Sequence, residues 1–96
     1  MLDVVTRPKA RQDLKDIWLY SCKQWNEAQA DEYLSALDTG IAKRRTNPSL
    51  GRPREDVRSG YRSLRIKAHI VYYQVVPPVI RIVRVLHARM DPGRYL

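Results

Sequence analysis

The sequence of 96 residues has no phenylalanine, a single cysteine, two histidines and four glycines. Its 18 Lys and Arg outnumber 10 Asp and Glu. Each scarcity excludes something. With Cys22 alone no intrachain disulfide can form, and a reducing cytoplasm is the expected compartment. His69 and His87 lack ligand spacing and Cys22 is far from both, so neither a metal nor any other cofactor is expected. There is no glycine-rich phosphate loop, no zinc-protease helix motif and no nucleophile signature around Cys22. No apolar run approaches a membrane span, and the first residues lack a basic-then-apolar leader, so no membrane role is expected. Without phenylalanine, Trp18, Trp25 and six tyrosines must supply the aromatic bulk.

What the chain has in excess is positive charge. A net charge of +8 and a pI near 10.1 point to an acidic partner: nucleic acid, an anionic membrane or an acidic protein. The plainer reading is charge carried for solubility. The hydrophobic fraction of 44% is ordinary for a globular protein, and the length fits one domain over residues 1–96.

The segment from Val79 to Pro92 is the densest β-branched run, and it reads as a central strand. Ile80, Ile82 and Leu86 share one parity while Val83 and Val85 hold the other, which predicts apolar groups on both faces. Arg81, Arg84, His87 and Arg89 are threaded through it. Earlier strands are expected near 2–6, 61–66 and 69–76, with the last at 79–88. Between the first two lies a helical hairpin, about 8–47. Thr6 is its expected cap and Pro8 fits the first turn. Ala10, Leu14, Ile17, Trp18 and Ser21 recur at helical spacing, with Asp13 and other charges mostly on the outer faces. The second helix starts at Asn26, with Gln29 in capping-box position, and carries an Ala30, Leu34, Leu37, Ile41 stripe with Tyr33 beside it. Lys43, Arg44 and Arg45 suit its last turn, and Asn47-Pro48 ends it.

Residues 50–60 read as a loop packed through Leu50 and Val57, and the tail from Met90 reads as coil. The expected fold is therefore α+β, in the order β-α-α-β-β-β. The helical hairpin packs on one face of a mainly antiparallel sheet. The other face, half apolar and bearing Arg and Tyr, is left open for a partner. Trp18 reads as core. Trp25, at the turn between helices, reads as partly exposed and the better anchor.

One chemical reading follows from the residue types. Arg62, Arg65, Arg81 and Arg84, with His87, Arg89 and Tyr95, could hold a phosphodiester for metal-free RNA cleavage, His or Tyr acting as base. The competing reading makes these arginines edge-protecting charges or contacts for an acidic partner, and residue types alone favour it.

Several stretches, in order and spacing, resemble the ParE toxins of the RelE/ParE superfamily. They are Asp16-Ile17-Trp18-Leu19-Tyr20, Trp25, Asn47-Pro48 with Gly51 and Arg52, Arg58-Ser59-Gly60-Tyr61-Arg62, His69 to Tyr73, Arg84-Val85-Leu86-His87, and Met90-Asp91. The resemblance spans nearly the whole chain. It implies the toxin of a type II toxin–antitoxin pair that poisons DNA gyrase without catalysis. It also implies neutralisation by a ParD-like antitoxin with a ribbon-helix-helix domain and a wrapping C-terminal tail. The toxin would meet operator DNA only through that antitoxin. Candidates for antitoxin contact are Trp18, Trp25, Tyr33, Leu37, Arg62, Tyr72 and Arg84; candidates for toxicity are Arg89, Arg94 and Tyr95. The RelE branch implies instead a ribosome-dependent mRNA endoribonuclease, here centred on Arg62, Arg84, His87 and Tyr95. The chain lacks the lysine-rich strand and C-terminal helix of that branch, which favours gyrase. A third possibility is a basic nucleic-acid-binding module without toxic action.

Overall fold

A computed structural model describes all of residues 1–96. Strand β1 (Asp3–Thr6) leads into helices α1 (Pro8–Gln24) and α2 (Glu27–Arg44). A 3-10 turn (Pro48–Leu50) then precedes β2 (Arg52–Pro53), β3 (Tyr61–Ile66), β4 (His69–Val76), β5 (Val79–His87) and a single turn, α3 (Pro92–Tyr95). The sheet order is β1-β5-β4-β3-β2. β1 runs parallel to β5, and every other pairing is antiparallel. The α+β class and the order of the major elements agree with the sequence expectation.

Local chemistry explains where the helices start. Pro8 occupies the first turn of α1, where its missing N–H costs no hydrogen bond. The cap position is Arg7 rather than Thr6, and no side chain caps it. α2 begins as expected: Asn26 Oδ1 accepts the Gln29 backbone N–H at 2.8 Å. Between hairpin and sheet lies a core of Ala10, Ile17, Leu37, Ile41, Val71, Tyr73, Ile80, Ile82 and Val85.

The mixed parity of the last strand has a specific cause. Tyr72 pairs with Arg84 and Tyr73 with Ile82, so Val83 is an extra residue opposite one step of β4. A bulge of this kind shifts the alternation by one. Ile80, Ile82 and Val85 consequently share the helix-facing core despite their different parity, while Leu86 lies opposite Ile70 on the other face.

That other face is not open at its centre. Tyr61, Ser63, Tyr72 and Leu86 are all buried. The Arg54 guanidinium, from the segment after β2, lies 5.6 Å from the centre of the Tyr72 ring. Residues 50–60 thus differ from the expected loop: Arg52 and Pro53 add a short edge strand to β3, and Leu50 is 59% exposed rather than packed. The tail is a capped turn instead of coil, with the Asp91 carboxylate accepting the Gly93 N–H at 3.0 Å.

Tyr73 fastens the segment before β2 to the core. Its hydroxyl donates to the Pro48 carbonyl at 2.7 Å and accepts the Gly51 N–H at 2.9 Å. Gly51 is buried so closely against this ring that any Cβ would collide with Tyr73. Gly51→Ala is therefore expected to cost about 1–3 kcal/mol of stability, the usual cost of overpacking. Urea denaturation checks it; an unchanged midpoint would mean that the segment moves away freely.

Candidate functional site

Asp13 was placed by the helical pattern among the outer charges, but its side chain is only 12% exposed. Its carboxylate accepts two bonds from Arg84, Nε at 2.7 Å and Nη2 at 2.8 Å. It also accepts the backbone N–H of Val85 at 3.0 Å. β1 pairs with β5 only as far as Ile82, so Asp13 occupies a stretch of strand edge that β1 leaves bare. The forked, charge-assisted pair fixes the guanidinium plane. Its hydrogen bonds to Asp13 push the Arg84 pKa above its ordinary value, so this cation stays charged. The third nitrogen, Nη1, donates to the Tyr95 carbonyl at 3.1 Å, and the Tyr95 ring centre is 5.9 Å from the guanidinium carbon. One arginine thus links α1, β5 and the tail.

Asp13 also lines a small cavity with His69 and His87, and beyond it, where α1 ends, the surface is aromatic. Tyr33 on α2 accepts the Ala68 N–H at 3.1 Å, and its hydroxyl lies 2.6 Å from His69 Nδ1. The direction of that bond follows the His69 tautomer: Nδ1 accepts the Tyr33 proton when the neutral ring carries its own proton on Nε2. His69 also packs edge-on against His87, its partner across the β4–β5 pair, with ring centres 5.3 Å apart. His87 Nδ1 accepts the Arg89 N–H at 3.1 Å. Tyr20, Trp25, Tyr33, His69 and His87 line a cleft of about 230 Å³ here. Trp25 is 56% exposed and Tyr20 63%, so this end presents real aromatic surface.

The residues singled out from the sequence separate into distinct places. Arg84 and Tyr95 come together. Arg62 does not join them; on β3, its Nη1 donates to the carbonyls of Ser49 and Gly51. His87 ends β5 in the aromatic cleft, away from Arg62. Leu37 is 0% and Tyr72 1% exposed, so both belong to the protein's own interior and offer a partner no surface. Trp18, expected in the core, is half-buried, its indole N–H bonded to Asp31 at 2.9 Å. Tyr33 is half-buried, whereas Arg89, Arg94 and Tyr95 are exposed. Sequence reasoning missed Asp13, whose partners lie 71 and 72 residues away. It also missed Tyr20, whose place beside Trp25 and His69 arises only when the hairpin docks.

Burial, and secondarily the neighbouring His87, lower the pKa of His69, while Asp13 opposes them. The folded protein therefore favours neutral His69. Its contribution is fully present above the unfolded pKa of about 6.5 and is lost as pH falls below it toward the depressed folded value. Stability is expected to decline with acidification from about pH 6.5, more steeply in wild type than in His69→Gln. Denaturation midpoints across that range test this; parallel profiles would remove His69 as the titrating group.

No helix is long and apolar enough to cross a membrane. A family model described as the ParE toxin of a type II toxin–antitoxin system, parDE, matches residues 4–92. Toxin ParE1 of Mycobacterium tuberculosis is 39% identical over 90 residues, covering 93% of this chain and 92% of that protein. Toxin ParE1 of Caulobacter vibrioides is 39% identical over 88 residues, covering 92% and 91%. Among solved structures, the fold matches a chain of the chromosomal ParDE system from P. aeruginosa, with a TM-score of 0.79 at 18% identity over 91% of this chain and 96% of that one. It also matches a chain of the YoeB-YefM complex from Staphylococcus aureus, with a TM-score of 0.63 at 19% identity over 91% and 97%. These likenesses establish a shared RelE/ParE-like fold. With the family model and the 39% identical relatives each spanning most of its length, the chain belongs to the ParE toxin family of type II toxin–antitoxin systems.

Proposed function

We propose that this toxin acts by binding rather than catalysis: it poisons DNA gyrase in the cytoplasm and is neutralised by a ParD-like antitoxin. The observation that carries the non-catalytic reading is the dispersal of the residues a metal-free nuclease would need. Arg62 is held by loop carbonyls, Arg84 is neutralised by Asp13, and His87 lies at the aromatic end. A general base must reach the proton it removes, and stabilising cations must surround the same reacting group. Here Arg62 and His87 stand apart, and only Tyr95 joins Arg84.

The two exposed regions suit two different tasks. Arg89, Arg94 and Tyr95 stand on the accessible tail, where a gyrase surface can reach them. Trp25, beside Tyr20 and half-buried Tyr33, is a large aromatic of the kind that anchors protein interfaces, and we assign it to the antitoxin. Membership of the ParE family, whose resemblance implies gyrase as target, gives the target its support.

A supercoiling and DNA-cleavage assay with purified gyrase tests the proposal, with accumulation of cleaved DNA as the expected result. Truncation after Ala88 is expected to abolish that effect while antitoxin binding persists. Retained activity would remove the tail as effector, and cleavage of ribosome-bound mRNA by the intact protein would overturn the non-enzymatic reading. Trp25→Ala is expected to weaken the antitoxin complex by about 1–3 kcal/mol, the range of an interface anchor. Calorimetry reads this directly, and an unchanged dissociation constant would return Trp25 to solvent.

A further inference from the structure

The sheet ends on two edges that differ in their protection. β2, at one edge, is only Arg52 and Pro53, and a charged residue beside a proline is a poor template for another strand. β1, at the other, is β-branched at Val4, Val5 and Thr6, with Val4 36% and Val5 45% exposed. Its odd-numbered residues serve β5: the Asp3 N–H donates to the Pro78 carbonyl at 3.1 Å and the Arg7 N–H to that of Ile82 at 3.0 Å. Alternation along the strand turns the N–H and C=O groups of Val4 and Thr6 outward, where the fold offers them no partner. Leu2 shares that direction, but its N–H is taken by the Arg45 carbonyl at 2.9 Å, and beyond Arg7 the chain enters α1. The bare edge is therefore the stretch from Val4 to Thr6.

That stretch is complementary to itself. When a second copy lies antiparallel beside it with Val5 opposite Val5, Val4 of each copy faces Thr6 of the other. These are the residues whose outward groups can exchange both backbone hydrogen bonds. The same register sets Asp3 opposite Arg7 of the second copy, on both sides of the twofold axis. The Asp3 side chain is 80% exposed, with only a 3.7 Å contact to Arg45, and Arg7 is exposed and forms no ion pair. Opposite charges directly across a strand pair stabilise it, and like charges oppose it. A slip of two residues either way sets Val5 against one of the charges and separates Asp3 from Arg7. Val4 and Thr6 lie beside Ile80 and Ile82, which face the helices, so Asp3, Val5 and Arg7 stand on the helix-free face, clear of the hairpin.

We propose that β1 is a docking edge for a second copy of this chain, joining two sheets into one across a twofold axis at Val5. A contact of this kind uses the same patch on both partners, so the charge that one copy lacks the other supplies. The inference goes beyond the toxin reading and needs neither gyrase nor antitoxin. The contact is short, and two chains of net charge +8 repel each other. It therefore forms at high protein concentration and at an ionic strength that screens the repulsion.

Sedimentation velocity of the full chain at about 0.15 M salt is expected to show a monomer–dimer equilibrium. Amide exchange is expected to slow at Val4 and Thr6 as concentration rises. Asp3→Arg and Arg7→Asp each set like charges across the pair and are expected to weaken the dimer at least about tenfold. Both changes together in one chain restore opposite charges and the original net charge, and are expected to restore dimerisation. Mixing the two single variants is likewise expected to give a heterodimer, a result that loss of folding in either variant could not produce. A chain that stays monomeric to its solubility limit, single variants that dimerise as wild type does, or a double variant that stays monomeric would each overturn the proposal. So would protection of Val4 and Thr6 in a monomeric chain only when an extended Thr-Val peptide is added, which would assign the edge to another protein.

Discussion

The carboxylate of Asp13 is the contact on which the arrangement of this protein depends. Three donors meet it: two guanidinium nitrogens of Arg84 and the edge amide of Val85. A strand edge left without a partner would either need water or attract another chain. Asp13 fills part of that gap from within the fold and docks α1 against β5 in the same act. Pairing also resolves the cost of placing Arg84 where its side chain is only 15% exposed, since a charge in such a site is tolerated when paired and hydrogen-bonded. The remaining guanidinium nitrogen then reaches the tail, so hairpin, sheet and C-terminal turn share one electrostatic junction.

The bulge at Val83 complements that junction. It lets Ile80, Ile82 and Val85 all face the helices, although alternation in a regular strand would turn Val85 away. Without the extra residue, the second half of β5 would present Leu86 to the hairpin and turn Val85 outward. Both the helix-facing core and the buried cluster around Tyr72 and Leu86 depend on this one irregularity. The central strand of the sheet can be apolar on both faces because the hairpin covers one, while Arg54 from the loop covers the middle of the other.

The surface chemistry that results is polarised. Around the start of α1 and the tail lie unpaired cations. At the far end, Tyr20, Trp25, Tyr33 and the two histidines form an aromatic cleft. Association by charge and retention by aromatic burial are different physical tasks, the first governing encounter and the second the lifetime of a complex. Of the residues suited on paper to phosphodiester chemistry, Arg62 and His87 stand apart and only Tyr95 joins Arg84.

Much of this was legible in the sequence. The apolar periodicity of 3.6 from Ala10 to Ile41, the β-branched runs after Gly60, Asn26 as a cap and Pro8 in a first turn are local signals. They fixed the two long helices, the three long strands and the α+β class, because each depends on residues a few positions apart. Trp25 was legible as exposed for the same reason, since it sits at a turn. The rest depended on residues distant in sequence. Asp13 reads as one more outer charge until α1 lies against β5. Tyr72 and Leu37 read as partner contacts until the loop and the hairpin cover them. The parity of β5 reads as two apolar faces until pairing with β4 reveals Val83 as the extra residue. Sequence alone determined which segments are helix and strand; tertiary structure decided which charges are neutralised and which remain free, because ion pairing and burial depend on distance in space rather than on position along the chain.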